Sequence, residues 1–268
     1  MSEEKKRTKH HRGRRKKRTK KKGRLLTNII LVVAVVVFAV SAFKLFGIGK
    51  GYMEGRGEYE DIADLAVENP DDQEKFRVDF DKLKEINPDT VGWLRFYPEP
   101  SIISYPVVQG KDNDEYLRKT FKANENTLGT IFLNADNSAD FSDKNSIIYG
   151  HRMKDGSMFR HLWDYDDEAF YKKNPYFYIY TPEGTEITYH IFAVCKVKDN
   201  FDGYITSFGS EAQFEEVIGK MKDASYYDTK VDVKGSDSIV VLSTCTAQSD
   251  DNRLIVCGVK EKEAELED

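Results

Sequence analysis

The sequence predicts an all-β closed barrel of about eight strands, with helices ahead of it and a helix between the sixth and seventh strands, all preceded by one transmembrane helix. Three observations carry this prediction. From residue 91 onward, short runs rich in Val, Ile, Tyr, Phe and Thr are divided by turn residues. Within that region, some stretches instead space their apolar residues at the period of a helix. Near the N-terminus, residues 25–43 carry no charge.

Residues 1–24 hold fourteen Lys and Arg against Glu3 and Glu4, a composition that buries no core and reads as a solvated basic tail. The apolar run behind it, taken as 25–46, is long enough to cross the hydrocarbon layer as a helix. Its basic flank predicts a cytoplasmic N-terminus, resting against anionic headgroups, and an extracellular remainder at the cell membrane. A cleaved signal peptide is the alternative, since Val40-Ser41-Ala42 offers small residues to a peptidase. So long an apolar run behind so long a basic segment favours a retained signal anchor. The whole chain carries −5 and the tail +12, which leaves −17 for the rest. An outer domain this acidic argues against nucleic acid as a partner, while an amine-bearing substrate meets no repulsion.

Five glycines in 47–57 predict a flexible linker. The outer domain then occupies 58–268 and opens with a helical pair over 58–86. In its second helix, 71–86, Phe76, Phe80 and Leu83 recur on one face behind the break Asn69-Pro70-Asp71. Strands are expected at 92–97, 102–108, 129–133, 146–149, 176–181, 186–197, 239–242 and 254–259, with turn chemistry such as Pro182-Glu183-Gly184 between them. Helical insertions are expected at 158–173 and 211–222, the latter with the stripe Phe214, Val217, Ile218 and Met221.

The chemistry concentrates at strand ends. Cys245 closes one apolar run and Arg253 opens the next, so a hairpin brings a thiol and a guanidinium to one sheet edge. A thiolate is a nucleophile, and a fork of N–H donors holds the oxyanion that forms when it attacks a carbonyl. His151 ends an earlier strand, Ser146-Ile147-Ile148-Tyr149-Gly150-His151, and supplies a base. Cys195 and Cys257 lie inside apolar runs and read as buried small hydrophobes. His10 and His11 fall in the tail, while His161 and His190 sit in a helical stretch and a strand and read as structural.

Leu242-Ser243-Thr244-Cys245, Arg253-Leu254-Ile255-Val256 and Tyr149-Gly150-His151 together resemble the sortases, class B in particular, over the chain from about residue 58 to the last strand. The resemblance implies a sortase-like barrel and a membrane-anchored cysteine transpeptidase with Cys245, His151 and Arg253 as the catalytic set. Its substrate would be the sorting-signal peptide of a secreted surface protein, cleaved after Thr. The acceptor would be the amine of a peptidoglycan precursor or of a pilin. The resemblance also implies that Asn113, Leu117, Tyr204, Ile205 and Ser243 line the peptide groove, and that 211–222 forms part of its wall. Two positions depart from the pattern: Asn200 stands where a small hydroxyl residue is the closer match, and Thr246 where an acidic residue can occur.

No cofactor is implied. Asp136, Asp140 and Asp143, and the tighter group Asp112, Asp114 and Glu115, lack the glycine turn of a calcium loop and read as solvated. An L,D-transpeptidase would have its arginine almost directly after the cysteine, and a papain-like protease would have its cysteine at a helix start; neither fits the order found here. A pilin-polymerising sortase and a catalytically silent surface scaffold of the same fold are the remaining alternatives.

Overall fold

The computed structural model describes residues 15–245 and 252–266. It divides into two compact units, Met1–Lys50 and Gly51–Asp268. Helix α1 (Arg15–Ala66) contributes to both.

In the first unit, α1 begins inside the basic tail, which was expected to be irregular. Lys and Arg propagate a helix well once an apolar segment has nucleated it. The side chains from Leu25 to Phe46 are exposed in the isolated chain, and the helix is long and apolar enough to cross a membrane. The glycine-rich stretch 47–57, expected to be a flexible linker, is helical throughout.

The second unit is the barrel and its coverings. Here α1 ends at Ala66, and the helix expected over 71–86 is shorter than the apolar spacing predicts. A two-stranded ribbon, β1 (Val67–Glu68) with β2 (Arg77–Val78), replaces its first half, and α2 spans only Phe80–Ile86. Polar side chains explain the difference. Asp72 Oδ1 accepts the N–H groups of Glu74 and Lys75, and Asn69 Nδ2 donates to the Lys75 carbonyl, so the backbone turns instead of coiling. Phe76 and Leu83 are buried as their spacing requires, Phe76 with the Arg95 guanidinium 3.9 Å from its ring centroid.

The barrel strands are β3 (Thr90–Phe96), β4 (Ser104–Val108), β5 (Ile131–Leu133), β6 (Asn145–His151), β7 (Tyr176–Tyr180), β8 (Thr185–Lys198), β9 (Ile239–Cys245) and β10 (Asn252–Glu265). They close in the order β10-β8-β7-β3-β4-β5-β6-β9, with β4–β5 and β6–β9 parallel and the other pairs antiparallel. The insertion expected at 158–173 is helical in two pieces, a 3-10 segment Phe159–Asp166 and α3 (Glu168–Lys173). The one expected at 211–222 is α4 (Glu211–Ala224), capped by Ser210 Oγ on the Gln213 N–H.

Two apolar clusters hold this unit together. Inside the barrel, Val240 and Leu242 of β9 meet Ile148, Leu254 and Val256. On the outer face, Ile239 and Val241 meet Ile147, Ile255 and Cys257 under the α4 stripe Phe214, Val217, Ile218 and Met221. β9 is therefore covered on both sides, which is why its sequence is a continuous apolar run without polar alternation. Cys195 and Cys257 are free thiols in the outer cluster, and burial pushes the Cys257 thiol well above its ordinary range. Phe214→Ala empties the centre of this cover and is expected to cost about 3–5 kcal/mol of stability, read as a lower midpoint in denaturant.

Candidate active site

Three neighbouring strands converge on one end of the barrel. β6 and β9 run parallel with Tyr149 opposite Ser243, Gly150 opposite Thr244 and His151 opposite Cys245. β10 lies on the other side of β9, antiparallel, with Ile255 opposite Ser243. The register is locked beyond that pair by Thr244, whose Oγ1 accepts from the Leu254 N–H at 3.2 Å and donates to the Leu254 carbonyl at 3.3 Å. Arg253 follows two residues beyond Ile255, toward the same end of the sheet. Paired residues of adjacent strands lie about 5 Å apart at Cα, so His151 and Cys245 are neighbours across the sheet, and Arg253 stands toward the same end on β10. Residues 246–251 of the connection, Thr246 among them, lie outside the described residues.

His151 is half-buried at the end of β6. Its Nε2 is 2.6 Å from the Leu117 carbonyl. A carbonyl only accepts, so the ring nitrogen bonded to it is the protonated one. The other ring nitrogen, Nδ1, is buried and has no hydrogen-bond partner among the described residues. The preceding Gly150 makes room for the strand end. A Cβ there would fall 2.5 Å from Ile131 Cδ1 and 2.6 Å from Phe159 Cδ2.

Arg253 is half-buried. It pairs with Val197 of β8, and its Nη1 donates to the Asn252 carbonyl at 3.3 Å. With Asn113, Leu117, Phe132, Tyr149, Asp199 and Tyr204 it lines a groove of about 270 Å³. The floor is aromatic: Tyr149 stacks on Tyr204 at 6.4 Å and 12°, and on its other side meets Phe132 at 5.2 Å. The Tyr204 hydroxyl is 2.8 Å from Ser243 Oγ, a hydrogen bond between the 3-10 turn Asp202–Tyr204 and β9.

The expected groove residues thus divide. Asn113, Leu117 and Tyr204 line the groove, and Asn113 Oδ1 also accepts the Ala135 N–H. Ser243 is buried behind Tyr204. Ile205 packs on the outer apolar cluster, and its carbonyl accepts from Asn145 Nδ2 at 2.8 Å; it is not among the residues lining the cavity. Sequence reasoning overlooked Phe132 and Asp199 as lining residues. Phe132 reads as an ordinary strand residue, and Asp199 as one more solvated acid beside Asn200 in the exposed turn after β8. The acidic group before Leu117 shapes its loop. Asp112 Oδ1 accepts the N–H groups of Asp114 and Glu115, and the Glu115 carboxyl, held below its ordinary range by the Lys111 N–H and by Lys119, accepts from both.

Comparison with known proteins gives the family of the chain. A family model described as the sortase domain matches residues 98–261. Sortase B of Listeria monocytogenes is 40% identical over 178 residues, covering 66% of this chain and 71% of that protein. The crystal structure of sortase B from Bacillus anthracis in complex with AAEK1 superposes with a TM-score of 0.70 at 32% identity, covering 80% of this chain and 100% of that one. The Staphylococcus aureus sortase B–substrate complex gives 0.68 at 26% identity, covering 78% and 97%.

Gly150→Ala forces a methyl group into the Ile131 and Phe159 contacts, and is expected to cost about 1–3 kcal/mol in denaturant unfolding while displacing His151.

Proposed function

Because this chain belongs to the sortase family and is a class B cysteine transpeptidase, we propose that it cleaves a short sorting motif near the C-terminus of secreted proteins after Thr and joins the acyl group to a cell-wall amine. In this reading the apolar helix anchors the enzyme in the cell membrane in a single pass, with residues 1–24 cytoplasmic and 58–268 outside. The observation that supports the reaction is the register that pairs His151 with Cys245, together with Arg253 lining an aromatic groove with Tyr149 and Tyr204.

Each residue has a distinct part. Cys245 passes its thiol proton to His151 Nδ1 and its sulfur attacks the Thr carbonyl, forming a C–S bond, while the Arg253 guanidinium donates to the oxyanion. A planar fork suits that carbonyl geometry, which an ammonium does not reproduce. His151 protonates the departing amine as the peptide C–N bond breaks, leaving a thioacyl enzyme. The acceptor amine then attacks that carbonyl and gives its proton to His151, which returns it to the sulfur as the C–S bond breaks. We assign the proton transfers to Nδ1, since Nε2 is engaged by Leu117. Asn113, Leu117 and Tyr204 hold the peptide in the groove, and Ser243 fixes the Tyr204 ring by the 2.8 Å hydrogen bond. The S. aureus relative, solved as a substrate complex, is consistent with peptide in this groove.

Mass spectrometry of the full-length chain in detergent, incubated with a panel of sorting-motif peptides, tests this. The expected result is a thioacyl adduct on Cys245 with one motif, absent from Cys245→Ala. Adduct formation should slow about 10²-fold or more in His151→Gln and about 10²-fold in Arg253→Lys. A folded protein with a reactive Cys245 that gives neither adduct nor cleavage with any peptide contradicts the proposal and favours a silent scaffold.

A further inference from the structure

The contact that orients His151 is made by a backbone carbonyl, and that carbonyl is itself held from behind. Leu117 lies in the 3-10 turn Glu115–Arg118. Against this turn packs the corner Gly129–Thr130 that leads into β5. The Thr130 N–H donates to the Tyr116 carbonyl at 3.1 Å, and the Thr130 hydroxyl donates to the Lys119 carbonyl at 2.7 Å. Gly129 has φ +62, and a Cβ on it would fall 2.8 Å from the Leu117 oxygen and 2.9 Å from His151 Cδ2. The Gly129 backbone is therefore in van der Waals contact with both partners of the His151–Leu117 bond.

This corner is pinned from outside the barrel by α1. The buried Tyr59 hydroxyl donates to the Gly129 carbonyl at 2.7 Å and lies 3.1 Å from Thr130 Oγ1. One α1 turn or more earlier, the Gly51 carbonyl accepts from Asn126 Nδ2 at 3.0 Å, and Asn126 Oδ1 takes the Leu128 N–H. The Tyr59 ring meets Tyr105 edge-on at 5.6 Å, which fixes where its hydroxyl points.

We infer that Tyr59, acting through the Gly129–Thr130 corner, is a positioning residue for His151: its hydroxyl fixes the corner against which the Leu117 carbonyl and the imidazole are set. Residues 51–59 of α1 thus belong to the support of the active site, although none of them lines the groove. A shift of the Leu117 oxygen releases the Nε2–H and lets the ring exchange tautomers or rotate, which removes the lone pair at Nδ1 from the place its assigned proton transfers need. The inference deepens the reading of His151 as the proton carrier and rests on it. A misplacement of this kind slows the chemical step without altering the groove that binds the peptide.

The test compares wild type, Tyr59→Phe and Tyr165→Phe as full-length chains in detergent. Tyr165 also donates a buried hydrogen bond, to the Asn174 carbonyl at 2.8 Å, remote from the corner. Long-range ¹⁵N–¹H spectra of histidine-labelled protein, assigned with His151→Gln, report the His151 tautomer whether or not the enzyme turns over. Wild type is expected to show a single Nε2–H form. Tyr59→Phe is expected to show a mixture of forms, with kcat on the cleaved peptide reduced roughly tenfold and KM within about twofold. Tyr165→Phe should lower the melting temperature and leave tautomer and kcat alone. A folded Tyr59→Phe with the wild-type tautomer overturns the inference, whatever its kcat. If Tyr59→Phe does not fold, Thr130→Val, which removes the second hydroxyl of the corner, decides by the same criteria. A wild type that cleaves no peptide counts against the proposed reaction, while the tautomer comparison still decides the role of Tyr59.

Discussion

The parallel pairing of β6 with β9 is the constraint on which the site depends. Parallel strands need long crossover connections, so His151 and Cys245, distant in sequence, meet only because the barrel closes in one order. Every residue pair from Asn145↔Ile239 to His151↔Cys245 is in register without a bulge. A slip of one residue would turn the whole row to the other face. The buried runs on both strands oppose such a slip, since Ile147, Ile148, Val241 and Leu242 are all fully covered. The stability of the barrel and the alignment of the proposed catalytic groups are thus the same interaction.

Around that row, the fold adds what two strands alone cannot. β10 supplies Arg253 from the second neighbour of β9, and the turn after β8 supplies Tyr204 and Asp199 to the groove. α4 covers the outer face of β9 over Ile239 and Val241, while Thr244, buried on the inner side with Val240 and Leu242, gives its hydroxyl to Leu254. The thiols Cys195 and Cys257 under α4 are buried, Cys195 with its Sγ donating to the Met221 carbonyl. For Cys257 that burial opposes thiolate formation, which separates it chemically from a cysteine at a strand end.

Much of this was legible in the chain. The barrel strands announce themselves by β-branched and aromatic runs, and 239–245 and 252–265 extend past their expected ends because polar residues at the end of β9 still pair with β6 and those at both ends of β10 with β8. The stripe of α4 is a plain case of helical period. Two regions resisted. At 69–79 the apolar spacing of Phe76, Phe80 and Leu83 was sound, yet Asp72 and Asn69 offer the backbone side-chain partners that a helix does not use. At 47–57 the glycines argue for flexibility by composition, but the segment lies between an apolar helix and the docked turn at Tyr59, so context outweighs the roughly 1 kcal/mol that each glycine costs a helix. In the candidate site, Cys245, His151 and Arg253 stand out in the sequence because they lie at the ends of apolar runs. Phe132 and Asp199 do not, because a groove is assembled from separate strands and turns, and nothing local marks their exposure to it. The backing of His151 by Gly129 and Tyr59 was equally out of reach, since it passes through backbone carbonyls.

The most direct test of the central claim, that register sets His151 beside Cys245, is the rate of Cys245 alkylation by iodoacetamide across pH, read by mass spectrometry in wild type and His151→Gln. Cys195 and Cys257 are buried, so peptide mapping assigns the label. An imidazole next to a thiol couples the two titrations, and the account predicts rate–pH profiles that differ in shape between the two proteins. Superimposable profiles from two folded proteins would show that imidazole and thiol do not interact, and would contradict it.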